Sequence, residues 1–290
     1  MKQYKFLDRD EDVVAWLDGL PRRNITSIAL DIEGEFNLHR YGEHLCLIQI
    51  FDGRESVVID PLTVKMRPVQ EMLENPDITK VMFDCTSDRT LLFRQYGIMM
   101  QGILDLVPAV ELLEYEKKGL DQVLHICLGK ELKPKKKFQR YDWMKRPIDR
   151  EALAYAVGDV NHLFTLQQAL LEELESGNLL DEYYARNEEV RNRPIQAEAT
   201  PGVLKKNRFR KLPGWSKELF LALFENRDGY ARKLDLPPNS VVSNEELFRL
   251  SSLQLETKNI AFRGRIPGKV RDNIRRDFEG IMRRRGSHAD

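Results

Sequence analysis

Apolar residues recur along this chain with two spacings, and each change of spacing marks a new element. Residues 25–33, 46–51, 57–60, 80–84 and 103–105 form short runs rich in β-branched side chains between turn formers, which predicts strands with at least one buried face. The first three follow one another closely enough to form an antiparallel meander. Elsewhere the period lengthens to that of a helix. Helices are expected over 11–20, over 88–96 with Leu91 and Leu92 inward, and over 120–128, where Leu120, Val123, Leu124, Cys127 and Leu128 fall on one face. A longer helix is expected over 150–174, with Asp149 as its N-cap after Pro147 and a stripe of Leu153, Val157, Val160, Phe164, Leu171 and Leu174. Strands alternating with helices predict an α/β fold, a mixed sheet flanked by helices.

Past residue 185 the pattern changes. Pro194, Pro201, Gly202, Pro213 and Gly214 stand among polar and basic neighbours, so 186–213 reads as a linker between a domain over 1–185 and a second over 214–290. The second domain is expected to be a small all-α bundle. A helix over 216–233 precedes Pro237 and Pro238; Ser243 to Glu246 form a capping box before Leu247 and Leu250; and Val270, Ile274, Phe278 and Ile281 share one stripe of a last helix.

Charge sharpens this division. Lys and Arg balance Asp and Glu at 46 each, but residues 1–190 carry 24 basic against 34 acidic side chains and residues 191–290 carry 22 against 12. A front part ten charges negative suits a domain that collects cations, and a back part ten charges positive suits a polyanionic partner. Cys46, Cys85 and Cys127 are odd in number and set among apolar neighbours. They read as buried thiols and not as a disulfide framework, which points to a reducing compartment. No apolar run reaches the length of a membrane span, and the acidic stretch after Leu7 interrupts any leader-like start, so a cytoplasmic location is expected.

Within that frame a few polar residues stand where chemistry could use them. In a strand, side chains two apart share a face, so Asp31 and Glu33 point one way and Ile32 the other. On a helix, Tyr155 and Asp159 are one turn apart, and His162 extends their line. Asp84 ends a strand and Asp88 lies in the first turn of the helix that follows; of the two, Asp88 projects from the stiffer element. Hydrolysis of a phosphodiester by two divalent ions needs carboxylates to hold the ions and a polar group to aim a water. Each residue has an ordinary explanation on its own: a turn cap, a helix cap, a core tyrosine, a solvated acid. Their joint occurrence, each on a regular element, is what favours the chemistry.

The same residues carry a family resemblance. Ile28 to Phe36, followed by Leu45 to Ile50, resembles the first motif of the DEDD 3′→5′ exonucleases and the strand after it. Ala154 to Val160 resembles the third motif of their tyrosine-bearing branch, and Tyr141 to Ile148 is similar to the aspartate-tryptophan, arginine-proline signature of ribonuclease D proteins. The likeness spans about residues 5–175. Through Asn226-Arg227-Asp228 and Leu236 to Glu245, residues 213–285 resemble the helical domain (HRDC) shared by helicases and ribonuclease D.

The resemblance implies a ribonuclease H-like fold and a catalytic set of Asp31, Glu33, Asp88, Tyr155 and Asp159. The four carboxylates would hold two Mg²⁺ or Mn²⁺ ions and Tyr155 would direct the attacking water. It implies removal of nucleotides from single-stranded RNA 3′ ends, such as those of tRNA precursors, with release of 5′-monophosphates. Where many relatives carry a histidine in the second motif this chain has Phe83 or its neighbours, which leaves Asp84 and Asp88 as alternatives for that carboxylate. The basic run Lys135, Lys136, Lys137 and Arg140, with Phe138 among it, reads either as a solvated loop or as a surface that steers and stacks single strands. Two other readings stay open: a non-catalytic RNA-binding protein on a degenerate exonuclease scaffold, and an exonuclease acting on DNA or on short oligoribonucleotides.

Overall fold

The structure is a computed structural model that describes residues 4–130, 137–138, 140–198 and 200–285. It divides into two units, Met1–Gly34 with His44–Ala197, and Glu35–Glu43 with Glu198–Asp290. The first holds a six-stranded sheet of β1 (Tyr4–Leu7), β2 (Ser27–Phe36, whose last residues belong to the second unit), β3 (Glu43–Phe51), β4 (Ser56–Ile59), β5 (Thr79–Met82) and β6 (Ile103–Asp105). Their order is β1-β4-β3-β2-β5-β6. β3 and β4 are antiparallel, whereas β1 with β4, β2 with β5 and β5 with β6 run parallel, so the sheet is mixed as expected. The edge strand β1 lies before the first expected element; four residues are too short for an alternating pattern to declare itself.

Side-chain alternation sorts the two faces. Ile28, Leu30 and Ile32 enter a core with Val13, Trp16 and Leu20 of α1 (Asp10–Arg22), Val69 and Leu73 of α2 (Arg67–Glu74) and Leu91 and Leu92 of α3 (Thr86–Tyr96). Ala29 and Val81 point the other way. They meet α4 (Val107–Leu112), α5 (Leu120–Leu128), α7 (Leu163–Ser176) and α8 (Leu180–Asn192), while Cys46, Leu47 and Val58 meet α6 (Arg150–Val160). Each fully buried Leu or Ile here contributes about 1.5–3 kcal/mol by leaving water.

Two expectations are corrected. The helix foreseen over 150–174 is broken after Val160, because buried Asn161 is tied to β4 by the Ser56 hydroxyl, which donates to Asn161 Oδ1 at 2.5 Å. The buried stripe then steps by threes through Val157, Val160, Leu163 and Leu166 before Leu170 and Leu174. The linker expected over 186–213 is mostly helical. α8 runs to Asn192 within the first unit, and α9 (Gly202–Lys205) and α10 (Asn207–Arg210) belong to the second. Arg89 is the reason α8 holds: its guanidinium donates to the carbonyls of Val190 and, at 2.8 Å, Arg191, capping orphan acceptors at the helix end.

The second unit is helical, with α11 (Gly214–Leu234), α12 (Pro238–Val241), α13 (Asn244–Ser251) and α14 (Gly268–Arg285) around Leu219, Phe220, Leu223, Phe248, Ile274 and Phe278. The capping box expected at Ser243 is present in full, with Ser243 Oγ accepting from Glu246 N and the Glu246 carboxylate accepting from Ser243 N. Among the described residues no helix is long and apolar enough to cross a membrane.

Candidate active site

β2 presents Asp31 and Glu33 on the same face as Ala29, the face that α6 covers farther along the sheet. Ala152 and Ala156, both fully buried, let α6 lie close to the sheet, and one turn later Asp159 enters the interior at 7% exposure. Oxygens of Asp31, Glu33 and Asp159 lie within 4.8 Å of one another. Crowding three carboxylates at such distances is costly unless a cation or proton is shared among them. Hard oxygen donors in this number suit Mg²⁺ or Mn²⁺, whereas a zinc site would ask for His or Cys.

Tyr155 joins this group from the same helix. Its hydroxyl is hydrogen-bonded to Asp159, and burial, followed by the charges of Asp159, Glu33 and Asp31, pushes its pKa well above the usual tyrosine value. It therefore stays protonated, able to orient a water but not to deprotonate one. Its ring stacks on Phe138, with centroids 4.9 Å apart and planes 20° from parallel.

Two residues before the helix fix its start. The Arg146 guanidinium grips Asp60 with two bonds of 2.6 and 2.7 Å and donates to the carbonyl of Cys46 at 2.8 Å, so the segment entering α6 is bolted to the end of β4 and to β3. Trp143 is buried in the same cluster. Asp149 occupies the N-cap position as expected, but its carboxylate pairs with Lys145 at 3.3 Å and does not cap the helix.

Asp88 lies outside the three-carboxylate cluster. It sits half-buried in the first turn of α3, where burial, and then the charges of Asp84 and Asp105, push its carboxyl up to about 7. Asp84 is exposed and in a left-handed conformation, with φ of 61°. Asp105 holds this turn: its carboxylate accepts from Asp84 N at 3.0 Å and from Cys85 N at 2.9 Å. Asp105 is in turn fixed by α8, whose Asn187 Oδ1 accepts from Asp105 N at 2.7 Å while the Tyr183 hydroxyl donates to Asp105 O. Sequence reasoning passed over Asp105, Asp60 and Asn187. The available signal was position, since Asp60 and Asp105 each close a strand where an acidic residue can reach the next backbone turn.

Of the basic run only Lys137, Phe138 and Arg140 are described. Phe138 is 5% exposed within the core around Trp143 and Ile148, so it backs Tyr155 and offers no open face to a base. Lys137 is exposed and paired with Glu151 at 2.8 Å, and Arg140 is exposed. Lys135 and Lys136 lie outside the described residues.

Comparison with known proteins extends these observations. The chain is 26% identical over 249 residues to the Ribonuclease D of Gluconacetobacter diazotrophicus, covering 83% of this chain and 61% of that protein. It is 36% identical over 151 residues to the Ribonuclease D of Zymomonas mobilis, covering 51% and 38%. Against Exosome complex component 10 of Mus musculus it is 28% identical over 262 residues, covering 85% and 29%. The chain thus spans less than two thirds of the length of these relatives. Among solved structures, the catalytic core of RRP6 from Trypanosoma brucei superposes with a TM-score of 0.81 at 22% identity, over 99% of this chain and 81% of that one. Escherichia coli RNase D does so with a TM-score of 0.72 at 22% identity, over 97% and 75%. At such identities the likeness shows a shared fold. Residues 7–175, more than half of the sequence, match the 3′-5′ exonuclease family, and the chain belongs to it.

Proposed function

We propose that this protein is a divalent-metal-dependent 3′→5′ exoribonuclease that trims single-stranded 3′ ends of structured RNA, tRNA precursors among them, and releases 5′-monophosphates. The observation that carries this reading is the convergence of Asp31, Glu33 and Asp159 within 4.8 Å, beside a tyrosine hydrogen-bonded to one of them. RNA as substrate is supported by the Ribonuclease D relatives and by the likeness to Escherichia coli RNase D, described as an exoribonuclease involved in structured RNA processing.

Asp31, Glu33 and Asp159 would hold the metal, and Asp88 would support a second ion from the first turn of α3. Bound divalent ions supply charge neutralisation at the scissile phosphate and a water of lowered pKa. The tyrosine hydroxyl, kept protonated by its acidic neighbours, would fix the direction of that water, and a correctly held water lowers the barrier by removing orientational freedom beforehand. The Arg146–Asp60 clamp and the Phe138 ring would keep α6 and Tyr155 in register with β2. Three free thiols fit a reducing, cytoplasmic setting.

Digestion of a hairpin RNA with a 3′ overhang in Mg²⁺ or Mn²⁺ tests the reading. Stepwise shortening that ceases with chelator and in Asp31→Ala is expected. Undiminished shortening in Asp31→Ala, or in excess chelator, counts against it.

A further inference from the structure

Gln49 of β3 is fully buried, and neither its amide oxygen nor its amide nitrogen has a hydrogen-bond partner among the described residues. In this it differs from other buried polar side chains of the first unit. Asn161 accepts from Ser56, Asn187 accepts from Asp105 N, and Asp60 is gripped by Arg146. A buried amide without bonds is costly, and its retention calls for a partner that makes use of it. Packing alone would favour an apolar residue at this position, since Leu47, Ile48 and Ile50 around it are fully buried as well.

The sheet aims this amide at the face that carries the acids. Ile48 and Ile50, on either side of Gln49, enter the core with Ile28, Leu30 and Ile32 of β2, so Gln49 points the other way, as Asp31 and Glu33 do. β2 is the strand next to β3. On the opposite side Val58 of β4 is in register with Gln49 and packs with Ala152, Ala156 and Val157 of α6. Opposed residues of an antiparallel pair share a face, so Gln49 lies in the floor beneath α6, the helix that brings Asp159 to Asp31 and Glu33. An amide can donate there where an apolar side chain cannot. A carboxylate that holds a cation keeps lone pairs free, and a neutral N–H takes one up without a charge that would compete with the ion.

We propose that Gln49 is a positioning residue of the metal site: its amide N–H₂ donates to a carboxylate of the Asp31, Glu33 and Asp159 cluster and holds it in the orientation that binds a divalent cation. Gln49 acts through those carboxylates and touches neither ion nor substrate. The inference rests on the proposed function for the presence of an ion, but its readout is ion affinity, which does not depend on what nucleic acid is cut.

The test is titration of the full-length protein with Mn²⁺, free ion being read from its electron paramagnetic resonance signal, in wild type and in Gln49→Met. Methionine matches glutamine in length and flexibility and removes the donor. Apparent Mn²⁺ affinity is expected to fall about tenfold or more, the usual effect of losing a partner that orients a metal ligand. On a 3′-overhang RNA, kcat is expected to fall while KM stays nearly unchanged. The melting temperature of the metal-free variant is expected to be equal to or above that of wild type, because an unbonded buried amide has been removed. A folded Gln49→Met that binds Mn²⁺ as wild type does overturns the proposal and leaves the exonuclease reading standing. Wild type that binds no Mn²⁺ overturns both, and wild type that binds Mn²⁺ in a Gln49-dependent way yet digests no RNA overturns the exonuclease reading alone. Should Gln49→Met fail to fold, a crystal structure of the Mn²⁺-loaded wild type decides. The amide nitrogen is expected about 3 Å from an oxygen of the cluster, or linked to it by one water, and an amide bonded only elsewhere overturns the proposal.

Discussion

The helices α6 and α3 each carry one of the acidic residues on which the proposed chemistry rests, and they are anchored by opposite means. α6 is held by a side chain: the Arg146 fork closes on Asp60, at the end of β4, and on a carbonyl of β3, the strand beside β2. α3 is held by its backbone, through amides of Asp84 and Cys85 that a carboxylate at the end of the edge strand β6 accepts. Asp159 accordingly reaches the cluster with Asp31 and Glu33, whereas Asp88 stays outside it. The contrast teaches that a helix anchored on β3 and β4 carries its carboxylate to the acids of β2, whereas a turn anchored on the edge strand β6 keeps its own apart from them. Under the proposed function Asp88 would act on an ion through an intervening water.

The largest effect that would sharpen this contrast is on turnover. Asp159→Ala is expected to lower kcat about a thousandfold, since ion-bound transition-state stabilisation amounts to several kcal/mol. Asp88→Ala is expected to cost distinctly less in the same RNA digestion, and equal losses would break the comparison. Next comes stability. Asp105→Ala strands the buried amide of Cys85 and the part-buried amide of Asp84 and is expected to cost about 2 kcal/mol in urea unfolding. Arg146→Met leaves Asp60, at 2% exposure, without its fork and is expected to cost about 2–3 kcal/mol. The Arg146 variant is also expected to lose activity, which Asp105→Ala should lose to a lesser degree. Arg146→Lys should recover little, because an ammonium cannot make the two-bond contact. Tyr155→Phe removes the orienting hydroxyl while keeping the ring stacked on Phe138, and a loss of about tenfold in kcat is expected with little change in melting temperature.

The smallest effect concerns pH. Asp88 is raised in the folded protein above its unfolded value, so the native state binds more protons between about 4 and about 7. Metal-free protein should therefore lose stability as pH rises through that window, and Asp88→Asn should flatten this part of the profile. A profile identical in wild type and variant contradicts the environment assigned to Asp88.

Much of this was legible in the residues themselves. Period-two alternation placed Asp31 and Glu33 opposite Ile32, and the structure puts Ile32 in one core and the two acids on the other face. Leu120–Leu128 and the Ser243 capping box were readable because each is a local signal, a periodic stripe and a reciprocal hydrogen bond. What was not legible depended on partners distant in sequence. The break at Asn161 needs Ser56, 105 residues away, and a continuous apolar pattern hides it. Phe138 amid lysines looks like a surface aromatic until Tyr155 and Trp143 are brought against it. The roles of Asp60 and Asp105 likewise appear only when a strand end meets a turn from elsewhere in the chain.

The most direct test of the central claim is anomalous diffraction from crystals soaked in Mn²⁺. The account predicts a manganese peak at coordination distance, about 2.1–2.2 Å, from oxygens of Asp31, Glu33 and Asp159, and loss of that peak in Asp31→Ala. Manganese bound elsewhere with this cluster empty, or a peak undiminished in Asp31→Ala, contradicts it.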